Sequence, residues 1–466
     1  MVLSRLWSAF VVVAVIVAGV RFVADENYRT IFNDLVVGQS GDTIPVKVVD
    51  FAEIPTEIQP QFAQKNIAEQ NNIFYKKIAP NAVQIFRVQR SDGIIGAAKT
   101  AVEISLGLIG IMTLFMGFMG IAEKAGGIRL LSRLIQPFLS KLFPEVPKNH
   151  PAFGLMTLNF AANMLGLDNA ATPFGLRAMD SLQQLNPNKT RASNAQVMFL
   201  CLHASGLTLI PVSIIAIRAA QHSANPTEIF LPTLIATFSA TMAAMLIVSI
   251  KQRINLLQPA VIAFIGGASA IIGALVWLLV KMDSAELDTT NKLISNGLIL
   301  LIFFATVIGG IYKKINVFDS FIEGAKDGFY VCVRIIPYLV GMLVAISLLR
   351  TSGVFDTIIN GIKYCTEFAG ADTRFVDGLP TALIKPFSGS AARGMMVDAI
   401  TTFGVDSFPA RLSAILQGSS DTTFYVIAVY FGAVGVKNTR YTIGAMLLAD
   451  VAGITVAIAM AFLFFG

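Results

Sequence analysis

The sequence predicts an all-α polytopic membrane protein with two inverted repeats, re-entrant hairpins and interrupted helices, plus a small extramembrane excursion after the first helix. Its 466 residues are 55% hydrophobic and only 14% charged, whereas soluble domains carry about 25% charged residues. Apolar runs long enough to cross about 30 Å of hydrocarbon as helices recur along the chain. Polar and helix-breaking residues interrupt these runs at matching places in the two halves, which indicates the repeat.

The first element, residues 1–23, is predicted to be a transmembrane signal-anchor helix. Its apolar stretch begins after Arg5, and no Ala-x-Ala cleavage site of a secretory signal follows it. A cleaved secretory signal is the alternative. Residues 24–95 are polar and contain two β-like runs, IPVKVVDF and AVQIFRVQR, so we expect a small extramembrane excursion there.

Counting the first helix, we expect nine full crossings of the membrane. The other eight are residues 98–122, 194–219, 229–250, 260–280, 293–311, 328–349, 411–434 and 441–465. Residues 128–143 combine apolar side chains with Arg129, Arg133 and Lys141. An amphipathic pattern with a basic polar face is typical of an interfacial helix; a connecting helix packed in the core is the alternative.

Two further stretches are apolar but interrupted. Residues 153–185 and 378–403 each consist of two half-length apolar pieces around a tip rich in Gly, Pro, Asn or Ser. Irregular backbone at membrane depth survives only where protein or a water-filled cavity satisfies its polar groups. We therefore predict a re-entrant hairpin at each stretch rather than a spanning helix.

Sequence identities relate the two halves in the same order. The matched positions are Ala98, Lys99 and Gly126 with Ala325, Lys326 and Gly353 at an offset of 227, Ala170 and Ala171 with Ala391 and Ala392 at 221, and Ser205 and Thr208 with Ser420 and Thr423 at 215. Each identity is weak alone, but helix, hairpin and polar-centred helix follow one another in both halves. We predict a first repeat over 96–253, two linking helices over 254–314 and a second repeat over 315–466.

Charge predicts how the two halves are oriented. The connection after the opening helix of the first repeat is strongly basic, whereas the equivalent connection after Leu349 mixes basic and acidic residues. Lys and Arg concentrate on the cytoplasmic side, so we expect the first connection inside the cell and the second outside, as in an inverted-topology repeat. The protein is then a multi-pass protein of the bacterial inner membrane, with a cytoplasmic N-terminus and residues 24–95 in the periplasm.

Asp421 lies in the segment LQGSSDTT (416–423), in the middle of an otherwise apolar run. A carboxylate at bilayer depth costs about 2.5 to 3.5 kcal/mol on insertion scales, so we expect it to face a cavity or a partner. Oxygen ligands of this kind suit a hard cation or a proton. A structural hydrogen-bond hub between helices is the alternative. The candidate binding residues in this segment are Asp421, Gln417, Ser419, Ser420 and Thr423.

The matching segment of the first half, LHASGLT (202–208), offers His203, Ser205 and Thr208 as candidates. Gly206 and Pro211 are expected to loosen the helix and to release backbone carbonyl groups into the protein. A lone histidine is more often a satisfied core residue than a functional one, and that alternative stays open.

The hairpin tips supply the remaining candidates. Half-helix N-termini at such tips present free backbone N–H groups that favour anionic or polar ligands; alternatively, the tips only cap each other. Glu103 and Asp450 are also embedded in apolar runs, but we rank them below Asp421 because the sequence identifies no partner for them. The tip candidates are Asp168, Asn169 and Thr172 in the first hairpin and Ser388, Ser390 and Arg393 in the second.

Charge and motifs argue against several other classes of protein. The 35 Lys and Arg residues give a formal net charge of +6, but they are spread over short connections, which argues against a nucleic acid polymer as partner. The three cysteines form no closely spaced pair of the kind that binds zinc or performs redox chemistry. There is neither a GxxxxGK[ST] phosphate loop nor a GxSxG nucleophile motif. We expect no enzyme activity, no metal site and no cofactor.

Several segments resemble known proteins. The strings LGLDNAATPFGLRAM (165–179) and ASNAQVMFLCLHASGLTLIPVSIIAIRAA (192–220) are similar to spore maturation protein A, whereas PTALIKPFSGSAARGMMVDAITTFGVDSF (380–408) and ILQGSSDTTFYVIAVYFGAVGVKNTRYT (415–442) are similar to spore maturation protein B. The chain resembles a fusion of these two members of the nucleoside-recognition, or Gate, family. The resemblance implies a transporter core with interrupted helices. It does not imply a nucleoside as substrate, because function must be argued from the site.

Two hypotheses for function follow. The first is a transporter or permease for an unidentified small polar solute, coupled to Na⁺ or H⁺ through Asp421. The alternative is a non-transporting membrane scaffold or regulator of cell-envelope assembly. The expected partners are the lipid bilayer and the solute, and the sequence is compatible with a homo-oligomer.

Overall fold

A computed structural model describes residues 2–24, 28–51, 54, 59, 62, 67–70, 73–79, 81–91, 93–147, 150–166 and 168–466. The chain divides into two compact units, each of which consists of several stretches of sequence. The first unit contains residues 1–106, 335–380 and 393–413, and the second contains residues 107–334, 381–392 and 414–466.

The segment predicted to be an extramembrane excursion follows the first helix, α1 (Val2–Ala24), and begins with the short helix α2 (Ile31–Val36). Four antiparallel strands then form a sheet in the order β1-β4-β3-β2. The two β-like runs of the sequence fall in the two longest strands, β1 and β4, which confirms that part of the prediction. The strands are β1 (Gln39–Asp50), β2 (Ile67–Gln70), β3 (Ile73–Ala79) and β4 (Ala82–Ser91).

A small apolar cluster stabilises this excursion. Ile54, Tyr75 and Val83 are buried, and Phe51 and Phe62 pack against them with their rings edge to face at 5.6 Å. Edge-to-face aromatic pairs add to the free energy gained from burying apolar area.

The rest of the described chain is helical. In order, the helices are α3 (Gly93–Lys124), α4 (Gly127–Leu142), α5 (Pro151–Met164), α6 (Asp168–Leu185), α7 (Asn194–Ala204), α8 (Val212–Ala220), α9 (Phe230–Gln252), α10 (Pro259–Val280), α11 (Ser284–Tyr312), α12 (Val317–Thr351), α13 (Val354–Phe368), α14 (Leu379–Ile384), α15 (Gly389–Phe403), α16 (Phe408–Gly418), α17 (Thr423–Ala433) and α18 (Thr442–Phe465). A short 3₁₀ turn, Val376–Gly378, precedes α14.

Among the described residues, seven helices are long and apolar enough to cross a membrane: α1, α3, α9, α10, α11, α12 and α18. The protein is therefore a multi-pass, all-α membrane protein with a small sheet in its excursion. The two other predicted crossings, 194–219 and 411–434, are not continuous helices. Gly206 and Pro211 lie in the break between α7 and α8, and the polar residues 419–422 form the break between α16 and α17.

The two halves repeat the same order of elements. A long helix (α3 or α12) leads to an amphipathic helix (α4 or α13), a pair of helices around a short break (α5 with α6, or α14 with α15), an interrupted helix (α7 with α8, or α16 with α17) and a final long helix (α9 or α18). Gly126 and Gly353, which the offset of 227 pairs, both cap the amphipathic helix with positive φ angles of 87° and 74°. Glycine adopts this left-handed backbone without strain. The inversion of the halves and the re-entrant depth of the helix pairs stay predictions, as do the domain boundaries.

Helix α4 matches the predicted amphipathic segment and buries one face that includes Ile128, Ile135 and Leu139. Leu130 and Leu134 are 63% and 65% exposed. Exposed leucines beside exposed arginines suit a helix at a membrane surface. The interfacial location itself stays a prediction.

Glycines allow close helix crossings within the second unit. A Cβ atom at Gly324 of α12 would lie 3.0 Å from the Gly120 Cα atom of α3, and a Cβ atom at Gly453 of α18 would lie 3.0 Å from Ala240 Cβ of α9. In membrane proteins, such small residues let helix backbones approach and gain van der Waals contact.

Candidate functional site

The two helix interruptions contact each other directly in the second unit. Helix α7 ends at Ala204, and the backbone N–H of Asp421, in the break before α17, donates a hydrogen bond to the Ala204 carbonyl oxygen at 2.7 Å. Residues 205–211 and 419–422 lack helical structure. Their backbone groups therefore need partners other than their own helix.

Each interruption also bonds to the break of the helix pair in its own half. The Leu209 N–H donates to the Met164 carbonyl at 2.8 Å, and the Phe424 N–H donates to the Pro386 carbonyl at 2.9 Å. The offset of 215 that relates Ser205 to Ser420 also relates Leu209 to Phe424. The acceptors Met164 and Pro386 are 222 residues apart, one more than the hairpin offset of 221, so the two repeats make closely similar backbone contacts.

The carbonyl groups near the end of the first segment of each interrupted helix are bonded by different side chains. Asn163 donates its Nδ2 to the His203 carbonyl at 3.4 Å, whereas Lys385 donates its Nζ to the Gln417 carbonyl at 2.6 Å. Helix C-termini favour cations. The second half therefore carries its own cation at this place, and the first half carries a neutral amide.

His203 and Asp421 form a pair in which one side chain is buried and the other is accessible. His203 is 3% exposed, and its Nε2 lies 4.0 Å from Asp421 Oδ2, while the Asp421 side chain is 47% exposed. The other carboxylate oxygen of Asp421 accepts the Thr422 N–H at 2.7 Å. The Asp421 carboxylate is thus accessible from its surroundings, and His203 lies behind it.

An aromatic cluster surrounds the imidazole. The ring centroid of Tyr430 lies 4.8 Å from that of His203, and the ring centroid of Phe199 lies 6.0 Å from that of His203. The buried Tyr430 hydroxyl lies beside Asn159 and Thr172 without meeting hydrogen-bond geometry to any residue that the structure describes. A polar tip on an apolar wall is typical of ligand-binding pockets.

Asp450 of α18 is a second buried carboxylate next to the interruption. It is 5% exposed, accepts a hydrogen bond of 2.6 Å from Thr423 Oγ1 and lies close to Ser420 and within electrostatic range of Lys385. The sequence ranked Asp450 low for want of a partner. The structure gives it one on the polar segment itself.

Two further buried oxygen atoms near the end of α16 have no hydrogen-bond partner among the described residues. These are Gln417 Oε1 and Thr233 Oγ1, although Gln417 Nε2 does donate to the Gly389 carbonyl at 3.3 Å. Thr233 of α9 faces Gly418. Buried polar atoms are normally paired with protein, water or a ligand, so a water or a ligand would complete the hydrogen bonding of these two oxygens.

Several predicted residues belong to this site, and others do not face it. The Ser205 hydroxyl donates to the Cys201 carbonyl at 2.8 Å, and the Ser419 hydroxyl donates to the Leu416 carbonyl at 2.9 Å. Both hydroxyls are therefore used to end a helix segment. Thr208 donates to the Gly206 carbonyl at 3.3 Å. The predicted residues that lie around the contact of the two interruptions are Asp421, His203, Gln417, Ser420, Thr423 and Thr172, and their role in binding stays a prediction.

The role of the candidates at the two hairpin tips stays a prediction. Ser388 accepts the Ala391 N–H at 3.1 Å and so caps α15, while Ser390 is half-buried. Arg393 belongs to the first unit and is not assigned to this site. Helix α6 begins at Asp168, but the side chains of Asp168 and Asn169 lie outside the part of the chain that the structure describes.

Sequence reasoning missed three contributors, Asn159, Asn163 and Tyr430. Asn159 and Asn163 are four residues apart on α5 and therefore share one helix face. Two amides at this spacing in an otherwise apolar helix were the available signal. Within the described ranges, no group of three or more His, Cys, Asp or Glu side chains could hold a metal ion.

Fold and site define a multi-pass membrane protein with a repeated core in which two interrupted helices meet. The family model described as nucleoside recognition, or Gate, matches residues 105–221 and 332–437, which contain both interruptions. The chain belongs to this family, which confirms the resemblance drawn from its sequence.

Two proteins of Bacillus subtilis (strain 168) are similar to parts of this chain. Spore maturation protein B is 44% identical over 173 residues, which are 37% of this chain and 96% of that protein. Spore maturation protein A is 41% identical over 157 residues, which are 34% of this chain and 80% of that protein. No solved structure matches the chain.

Proposed function

We propose that this protein is an inner-membrane transporter for a small polar solute and that the solute binds where the two helix interruptions meet. The observation that carries the proposal is the hydrogen bond from Asp421 to the Ala204 carbonyl, because it brings both broken helices, a half-exposed carboxylate and several buried polar atoms together. Transporters commonly build their binding sites from interrupted helices at the interface of repeats.

The chemistry of the site supports a solute with both hydrogen-bonding groups and a flat apolar face. Asp421, Gln417 and Thr233 offer oxygen atoms, and the rings of Tyr430 and His203 offer an aromatic wall. Such a mixture of few polar groups and aromatic surface favours small polar molecules. The family description makes nucleosides the first solutes to test, while the site chemistry extends to other small polar molecules.

Coupling to a cation or a proton at Asp421 is part of the proposal. A carboxylate that is half exposed beside a helix C-terminus attracts positive charge. The end of α16 in the second half already holds a fixed positive charge in Lys385. The end of α7 in the first half has the neutral Asn163 instead, and Asp421 lies next to it. We therefore assign the mobile positive charge to the end of α7.

The orientation in the membrane follows from charge. We place the N-terminus in the cytoplasm and the excursion of residues 24–95 in the periplasm, because the basic connection around α4 belongs inside by the positive-inside pattern. The lipid bilayer is then the partner of the exposed apolar helices α10 and α11, and assembly into a homo-oligomer is compatible with this arrangement.

A thermal-shift screen of the full chain in detergent tests the proposal. The panel contains nucleosides, other small polar metabolites and Na⁺, and the variants are Asp421→Asn and the control Asp372→Asn, whose carboxylate accepts hydrogen bonds in the exposed connection after α13. We expect one class of solute to stabilise the wild type and Asp372→Asn but not Asp421→Asn. If no solute binds and a protein partner is instead retained through residues 24–95, the scaffold or regulator of envelope assembly is the correct function.

A further inference from the structure

The Nδ1 atom of His203 faces two asparagines of α5 that offer opposite groups. Asn159 Oδ1 lies 3.1 Å from Nδ1, and Asn163 Nδ2 also lies 3.1 Å from it. The first is an acceptor and the second is a donor. A buried histidine that keeps a single protonation state needs only one such partner at Nδ1, either the acceptor or the donor.

Backbone carbonyls fix the orientation of both amides. Asn159 Nδ2 donates to the Ala171 carbonyl at 2.7 Å, so its Oδ1 must face the ring. Asn163 Nδ2 also lies 3.4 Å from the His203 carbonyl, an acceptor that keeps the amide nitrogen, rather than the oxygen, on this side. Exchange of oxygen and nitrogen in either amide would put two acceptors in contact.

This arrangement gives Nδ1 a partner in both of its protonation states. With a proton, Nδ1 donates to Asn159 Oδ1; without one, it accepts from Asn163 Nδ2, which otherwise bonds the His203 carbonyl. A buried polar group that loses its partner costs about 1 to 3 kcal/mol. His203 avoids that cost when it gains or loses a proton.

The opposite ring nitrogen, Nε2, faces the carboxylate of Asp421 at 4.0 Å. Two groups that both lack a proton would repel each other there, whereas one proton between them makes a favourable pair. Nε2 therefore keeps its proton toward Asp421, and Nδ1 is the nitrogen that gains or loses a proton.

We propose that His203 is a proton-binding residue and that the ion coupled to transport is a proton held by its imidazole, opposite the carboxylate of Asp421. The inference rests on the proposed transport function and names its coupling ion. Uptake of one proton from water converts a neutral imidazole and a carboxylate, with net charge −1, into an imidazolium and a carboxylate, with net charge zero. Release returns that proton to water. The neutral total is the state better suited to the low-dielectric interior of a membrane protein.

Other charged groups around α7 leave Asp421 as the main partner of the ring. Tyr430 of α17 contacts the imidazole through its ring, and Asp450 of α18 lies within the electrostatic range of Lys385. Cys201, on α7 itself, is fully buried. The titratable side chains described on α6 and α9, which also pack on α7, are exposed; they are Arg177, Asp180 and Lys251.

Nuclear magnetic resonance of the full chain with ¹⁵N-labelled histidine tests this proposal. The chain has only three histidines, and His203→Gln assigns the signals of ring 203. Asn159→Leu removes the acceptor for the protonated state, so the titration of ring 203 should move to lower pH. Asn163→Leu removes the donor for the unprotonated state, so the titration should move to higher pH. Each shift should be about one pH unit, the equivalent of one hydrogen bond.

Opposite shifts separate a proton-binding role from a structural one, because simple loss of packing would not change sign between the two variants. Where a leucine variant fails to fold, alanine at the same position removes the same group. Shifts in the same direction, no shift, or a wild-type ring that keeps one protonation state between about pH 4 and pH 10 would overturn the proposal.

Solute flux is measured separately in proteoliposomes, so the two proposals fail independently. Opposite shifts without flux would leave the proton site standing and remove the transport function. Flux that is independent of a pH gradient, with no shift in either variant, would remove the proton coupling and leave transport standing.

Discussion

The backbone N–H of Asp421 donates a hydrogen bond to the carbonyl oxygen of Ala204 at 2.7 Å, 217 residues earlier in the chain. The bond joins the interruption of the second repeat to that of the first. A free carbonyl at the end of α7 and a free N–H in the break before α17 satisfy each other, which is how irregular backbone is tolerated inside a membrane protein. Substitutions that disturb this contact between the two interruptions should therefore affect both repeats.

Gly418 is predicted to be essential for the close approach of α16 to its neighbours. A Cβ atom at this position would lie 2.6 Å from Thr233 Cγ2 and 2.9 Å from Ile214 Cδ1. Gly418→Ala should therefore lower the free energy of unfolding by about 1 to 3 kcal/mol through overpacking. Gly432→Ala in α17 is the matched control: a Cβ atom there has no neighbour within 4 Å, so a gain of up to about 1 kcal/mol in helix propensity is expected. Equal effects of the two substitutions in thermal unfolding would contradict the packing argument.

Lys385 is predicted to stabilise the second interruption through its charge. Its ammonium group donates to the Gln417 carbonyl at 2.6 Å and lowers the cost of burying Asp450. Lys385→Met removes this attraction and the charged hydrogen-bond donor, while the hydrogen bond from Thr423 to Asp450 remains, so a loss of about 1 to 3 kcal/mol in unfolding free energy is expected. The double variant Lys385→Met/Asp450→Asn should recover at least half of the loss. Additive losses in the double variant would show that the two charges do not interact.

Tyr430 is predicted to act on solute binding rather than on stability. Its buried hydroxyl does not meet hydrogen-bond geometry with any described residue, so Tyr430→Phe should change the unfolding free energy by less than about 0.5 kcal/mol. Loss of one hydrogen bond to the solute should weaken binding roughly fivefold to tenfold. Tyr425→Phe, at an exposed position of the same helix, should leave binding unchanged. The proposal for Tyr430 is wrong if its substitution destabilises the fold and spares binding.

Cysteine labelling tests the predicted inversion of the repeats. Cys365 of α13 is exposed, whereas Cys201 and Cys332 are buried. A membrane-impermeant maleimide should label Cys365 from outside in intact spheroplasts. A cysteine introduced by Lys141→Cys on α4, in a Cys365→Ser background, should be labelled only after permeabilisation, because its basic connection belongs inside. Labelling of both positions from the same side would show that the repeats are not inverted.

Sequence information was sufficient to locate the polar interruptions because the residues that break a helix act locally. Gly206 and Pro211 lie within the first interruption, and Ser419 to Thr422 form the second. Hydropathy alone placed a continuous crossing at each, because an average over a helix-length window conceals a short break. The order of elements in the two repeats could be predicted for the same reason: each match required only a short string.

The partners within the site could not be predicted in this way. Asn159 lies 44 residues from His203 in the chain, and Thr423 lies 27 residues from Asp450. Helical periodicity shows which residues share a face, but it does not show which face packs against which. Asp450 was ranked low and Asn159 was overlooked because their roles depend on these tertiary contacts.

Solute uptake into proteoliposomes measures whether a proton gradient drives transport through the contact of the two interruptions. The solute found by the thermal-shift screen is offered with and without an inward pH gradient, to the wild type, to Asp421→Asn and to the control Asp372→Asn. We expect the gradient to accelerate uptake by the wild type and by Asp372→Asn. Asp421→Asn should lose at least about 90% of this acceleration, which corresponds to 1.4 kcal/mol or more. Equal uptake by all three proteins, with and without the gradient, would contradict the proposal that the solute is transported where the two interruptions meet.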